Sequence, residues 1–191
     1  MSNRNTLLRS LHDLGAAAWF GGALMGAIGL NGASQDVADP ADRSRVAAAG
    51  WARWSPAAAT AIGAHLLGGA GLVLANRKRV LGQSGVTANT TAKTAVTAAA
   101  VAATAYSGVL GAKVASAGRV PSDGGTQPSG QTPEDVAAAQ RQLRIVQWAI
   151  PVLTGVIVVL GAQQGEQQRP TEIAKGLAAG LGRRSRALLP N

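Results

Sequence analysis

The sequence contains no cysteine. That excludes disulfides, thiolate metal sites and cysteine nucleophiles, and leaves the redox compartment unspecified. Acids are also scarce: nine Asp and Glu in 191 residues, all in loops or at helix ends. Carboxylates buried in an apolar stretch, as used in proton-coupled transport and by most hydrolases, are missing. No phosphate-binding loop, nucleophile elbow or HExxH is present, and no internal repeat is visible. The reading is therefore non-enzymatic. Charged residues make up 14% and aromatics 3%, against roughly 25% charged in an ordinary soluble domain.

What is abundant is alanine and glycine, within a hydrophobic fraction of 47%. A water-soluble core built mainly of alanine gains little, because the hydrophobic return scales with apolar area. In lipid the bilayer supplies the apolar surroundings and small side chains become contact surfaces. The net charge of +9 flanks apolar runs instead of lining one polar face, which favours a membrane surface over nucleic acid.

The organising stretch is Leu14 to Leu30, uncharged over seventeen residues, about the lower limit for a membrane-spanning helix. Gly15, Ala18, Gly22, Gly26 and Gly29 follow at spacings of three or four, on one helix face, and Gly22 and Gly26 form a GxxxG. Arg4 and Arg9 ahead of this run, with Gly32-Ala33-Ser34 behind it, also weigh as a signal-peptide pattern. The length of the run and the spans that follow favour a retained helix, ending at Asn31-Gly32.

Asp39-Pro40 starts a short surface helix over about 40–53, with Trp51 and Trp54 at headgroup level. Ser55-Pro56 reads as a fresh helix start, and Gly68 and Gly71 continue a second small-residue seam. Residues 80–92 read as a polar loop. A weak Ala/Thr/Val span follows, then 118–131 with linker composition. Thr132-Pro133 begins a last long helix, amphipathic at first and apolar after Ile145. Trp148 marks its membrane entrance, and Pro151 should free the carbonyl of Gln147. The fold class is thus all-α: an integral membrane four-helix bundle with helices 2 and 4 extended on the outer side. Residues 1–170 form the domain, with spans at about 8–30, 56–76, 93–113 and 145–163. Residues 171–191 form a basic tail, either an interfacial amphipathic helix or disordered.

Four spans place both termini on one side. Eleven of the 18 Lys and Arg fall on that side, so the termini are expected in the cytoplasm and the chain in the inner (plasma) membrane. Arg77, Lys78, Arg79, Arg183, Arg184 and Arg186 serve as topology signals and as contacts for anionic lipid headgroups.

Two histidines are the conventional ligands. A bis-histidine haem would use His12 and His65. Counted from the expected helix starts, however, their depths differ by on the order of 10 Å. His12 points into the bundle. His65, with Trp19 and Tyr106, falls near the midplane. It either bonds Tyr106 to fix helix register or forms a ligand, metal or proton site.

The run His12-Asp-Leu-Gly-Ala-Ala-Ala-Trp19-Phe-Gly21-Gly22 resembles the opening helix of copper-resistance D-type and related bacterial membrane domains. The resemblance covers about eleven residues and implies a role around copper uptake or an unassigned membrane function. It reaches only His12, Trp19, Gly21 and Gly22. The chain departs from that pattern in having two methionines, no cysteine and no second histidine pair. The expected function is an accessory or scaffold subunit packing through Gly/Ala seams against itself or a larger membrane complex, with no cofactor. The alternative is a small ligand-binding or transport protein for copper or haem at His12 or His65.

Overall fold

A computed structural model of the chain describes residues 5–77 and 84–166. Lys78, Arg79, Arg183, Arg184, Arg186 and the whole basic tail lie outside the described residues, and Arg77 is exposed. The architecture is all-helical. α1 (Thr6–Met25) runs on through a π-turn at Gly26–Leu30, one α-turn at Asn31–Ala33 and a 3-10 turn at Ser34–Asp36. α2 is Pro40–Ala75, α3 Ser84–Ser116 and α4 Glu134–Glu166. Between α3 and α4 lies a small antiparallel hairpin, β1 (Ser122–Gly124) and β2 (Gln127–Pro128). Among the described residues four helices are long and apolar enough to cross a membrane.

The helices form a row in the order α2–α1–α4–α3. α1 packs closely on α2 and α4, α3 packs closely on α4, and the two ends of the row, α2 and α3, touch only lightly. The centre is held by Trp19, Ala16, Ala23, Ala61, Ala100, Ile150 and Ile157. A second cluster of Leu110, Val114, Val136, Ala139 and Leu143 joins α3 to α4.

Asp39 caps α2 as expected, its carboxylate accepting from the Ala41 N–H at 2.9 Å with Pro40 behind it. Three boundaries differ from the sequence reading. α1 does not stop at Asn31-Gly32, because the Asn31 side chain is drawn into a buried network and does not cap the chain; the break comes at Val37, which is extended. Ser55-Pro56 does not restart a helix. The Ser55 hydroxyl donates to the Trp51 carbonyl four residues back, so α2 is one rod of 36 residues, about 54 Å at 1.5 Å per residue. A proline inside a helix removes only its own donor when the turn before it can adjust. Residues 84–90, read as loop, belong to α3, where buried Asn89 packs against α4 near Leu160 and Gln163.

The stretch 118–131 is folded, despite its linker composition. The Gly125 N–H donates to the Ser34 hydroxyl at 2.9 Å, and Gln140 Nε2 donates to the Gly124 carbonyl at 3.1 Å. A side chain at Gly125 would strike Ala47 of α2, so glycine lets the hairpin lie on the helix. Arg119 ties it down from outside, reaching Asp39 at 2.6 Å and Asp42 at 2.9 Å.

That clasp carries a pH signature. Asp42 lies beyond the apolar part of α2, and its carboxyl is held below the ordinary 3.8, first by the hydrogen bond from Arg45 and then by the Arg119 charge. A carboxyl with a depressed folded value contributes above its unfolded value and loses that contribution as pH falls through the folded one. The protection of the amides over residues 119–131, meaning their exchange relative to the intrinsic rate at the same pH, should therefore stay flat well above pH 3.8 and fall below it. Arg119→Gln should show the lower protection throughout. The effect is small, since all three side chains reach solvent.

Candidate functional site

α1 and α2 touch backbone to backbone at two glycines. A Cβ on Gly15 would lie 2.5 Å from the Ala61 carbonyl oxygen and 2.6 Å from the His65 nitrogen. A Cβ on Gly68 would lie 2.5 Å from both the His12 nitrogen and the Leu8 carbonyl oxygen. Between these contacts the rings of His12 and His65 stack, with centroids 4.1 Å apart and planes 18° from parallel. Each bonds the other's backbone: His12 Nδ1 donates to the His65 carbonyl at 2.9 Å, and His65 Nδ1 donates to the His12 carbonyl at 3.0 Å. A carbonyl oxygen only accepts, so both rings carry hydrogen on Nδ1, a tautomer assigned from the bonding pattern.

This overturns the depth argument. His12 precedes Asp36 by 24 residues and His65 follows Pro40 by 25, and the intervening turn is short. Two unbroken rods of matched length bring the rings level; the mismatch came from counting α2 from Pro56. The sequence carries a signal for the contact, missed because no long repeat is present: His12-x-x-Gly15 and His65-x-x-Gly68 are the same four-residue pattern on two antiparallel helices. Each glycine receives the backbone that carries the opposite histidine.

The geometry does not fit haem or a two-coordinate metal. Lone pairs lie in the ring planes, and axial ligands face one another across the metal at about 2.0–2.1 Å each. Stacked rings send their lone pairs along separate, nearly parallel planes, and the glycine contacts leave no room to part the helices. Among the described residues no group of three or more His, Cys, Asp or Glu could hold a metal ion.

The His65–Tyr106 bond does not form either. Tyr106 is 46% exposed, and its hydroxyl pairs with Gln142. Trp19 is the neighbour of His65, edge-on at 6.3 Å. It is 1% exposed, and its Nε1 donates to the Thr104 hydroxyl at 3.2 Å.

The glycine seam of α1 is spent inside the chain. The Trp54 indole fills the notch at Gly22, the Trp51 indole fills that at Gly26, and Leu8 lies on Gly71. Ala18 and Gly29 fall off this face. The contact stripe runs 15, 19, 22, 26, one position away from 18. The π-turn shifts the register beyond Gly26, leaving Gly29 beside only Met25 of its own helix. Trp51 and Trp54 thus turn inward onto α1, whereas Trp148 stays 47% exposed.

Two polar residues missed in the sequence complete this end. Trp51 Nε1 donates to Asn31 Oδ1 at 3.1 Å, and Asn31 Nδ2 donates to Gln147 Oε1 at 2.6 Å. Both amides are buried. The network links α1, α2 and α4, and its polar groups satisfy one another.

Beside it, where α2 and α3 fail to close, lies a cleft of about 300 Å³. Trp19, Trp51 and Trp54 form its back, and its rims are exposed small residues, Ala52 and Ser55 on α2 and Gly108, Ala112 and Ala115 on α3. Gly125 of the hairpin lines one end. Among the described residues no Asp, Glu, His, Lys or Arg lines it; its polar points are the hydroxyls of Ser44, Ser55, Thr104 and Ser107 and the amides of Asn31 and Gln147. Compared with protein-family models, with curated proteins and with solved structures, the chain has no match.

Proposed function

We propose that this chain is a non-enzymatic integral membrane protein, with both termini cytoplasmic, that serves as an accessory or scaffold subunit and docks through α3 onto a second copy or a larger membrane complex. The observation that carries this reading is a contrast between outward faces. α1 exposes Leu7, Leu14, Met25 and Ile28; α2 exposes Leu66, Leu67 and Leu74; α4 exposes Ile145, Val152 and Val159. These are the bulky side chains that suit lipid tails. α3 instead exposes Thr91, Thr94, Ala95, Ala98, Ala102 and Ala105 over residues 91–105, and its bulky exposed side chains, Tyr106 and Val109, come only beyond that stretch. Small and hydroxylated residues are what helix–helix contacts in membranes collect. The docking helix is therefore α3, since the α1 seam already serves the internal contact.

The chain lacks cysteine, so Ala98→Cys or Ala102→Cys introduces a single thiol. Oxidation in native membranes should give a cross-linked species for these variants and none for Leu67→Cys on α2. Ala98→Leu with Ala102→Leu should lower the associated fraction roughly tenfold, as a contact worth about 1.4 kcal/mol requires. If the species persists unchanged in the leucine variant, the docking face is wrong.

A further inference from the structure

We infer that the stacked pair His12 and His65 is a binding site for a single proton, taken up on Nε2, and that a second proton enters only when α1 and α2 part.

The Nδ1 hydrogens fix the starting state. Each is committed to a backbone carbonyl of the opposite helix. A neutral imidazole with hydrogen on Nδ1 carries its basic lone pair on Nε2. Among the described residues no hydrogen bond reaches either Nε2. The pair thus holds two unspent acceptors inside a helix contact, where His12 is 6% and His65 2% exposed. The two bonds alone do not call for histidine, since an asparagine amide can donate to a carbonyl as well. What the rings add is a group that can charge.

One charge suits this geometry. A proton added at Nε2 breaks nothing, because both Nδ1–H groups still donate. The bond from the charged ring becomes charge-assisted and stronger. That ring also lies on its neutral neighbour, 4.1 Å away between centroids, and an aromatic face attracts a cation.

Two charges do not suit it. Like unit charges about 4 Å apart repel by about 4 kcal/mol at an effective dielectric of about 20, a penalty of about a thousandfold on the second proton. The rings cannot move apart while their Nδ1 hydrogens stay bonded and Gly15 and Gly68 hold the backbones in contact. Relief comes only from separating the rods. The other charges that act on both rings are Lys93 of α3 and Asp13 of α1, and Arg9 of α1 acts in turn on Lys93. Among the described residues α2 and α4 bring no charged group to bear on the pair. Lys93 and Asp13 oppose each other in sign, so repulsion between the rings themselves sets the two steps apart.

The chain has two histidines, so histidine labelled with ¹⁵N in the ring reports on this pair alone. The full chain, reconstituted in phosphatidylcholine vesicles, is followed by solid-state NMR as pH is lowered. Both rings should begin with hydrogen on Nδ1. One imidazolium per chain should then form with the near-UV circular dichroism unchanged. The second should need about a thousandfold more acid, about three pH units, and should arrive together with loss of that signal. His12→Asn keeps a donor for the His65 carbonyl and should leave one step, on His65, with no second. Both rings charging in a single step, neutral rings with hydrogen on Nε2, or no imidazolium before the protein unfolds would each overturn the site.

Discussion

Gly15→Leu should unfold the α1–α2 pair, while Gly21→Leu, one helix face away, should leave it intact. At Gly15 the new Cβ meets the Ala61 carbonyl and the His65 nitrogen, which are backbone atoms with no rotamer to give way. At Gly21 it meets nothing within 4 Å. Overpacking a core costs about 1–3 kcal/mol where side chains can shift. Here two rods must part, which also breaks both histidine–carbonyl bonds and the ring stack. The loss should exceed about 3 kcal/mol, with Gly68→Leu behaving alike for the mirrored reason. Titration of the reconstituted protein with a denaturing detergent, followed by near-UV circular dichroism, reads the difference. Matching midpoints for Gly15→Leu and Gly21→Leu would refute the backbone contact.

Trp19→Ala should be the next most damaging change. Trp19 is the largest fully buried side chain and joins three helices: it sits on α1, meets His65 of α2 edge-on and donates to Thr104 of α3. Truncating a buried tryptophan costs about 3–5 kcal/mol. The lower end applies, because Thr104 keeps its bond to the Ala100 carbonyl and no polar group is orphaned. Trp19→Phe loses the indole N–H but keeps most of the packing, and should cost about 1 kcal/mol. The same denaturation measurement ranks the two. A tryptophan-to-alanine change as mild as the phenylalanine one would mean that the central cluster does not depend on the ring.

The four apolar stretches and the Asp39 cap were legible because each is a local signal: length without charge, or a side chain within reach of its own first turn. The small-residue face of α1 was legible in kind but misplaced by one position at Ala18, since spacings of three and four admit two neighbouring stripes. What escaped depended on partners distant in sequence. Pro56 reads as a boundary on local rules, and only the continuity of the rod reveals that His12 and His65 are level. Gly124 and Gly125 read as linker because the residues that order them, Ser34, Ala47 and Gln140, come from three other elements. Asn31 and Gln147 escaped for the same reason, each buried amide being explained by the other.

The π-turn at Gly26–Leu30 has a consequence for how the gene can change length. Each α-helical residue turns the chain by about 100°, so removing one codon between Gly15 and Gly26 would swing the tryptophan notches away from α2 and ruin the match with His65. A π-turn holds one residue more than the α-turn it replaces. Deleting Ile28 would let that segment relax to ordinary α-helix while everything on either side keeps its phase. Single-codon deletions scanned along α1 should therefore be lethal to folding except in this five-residue window, where the rod carries its own slack.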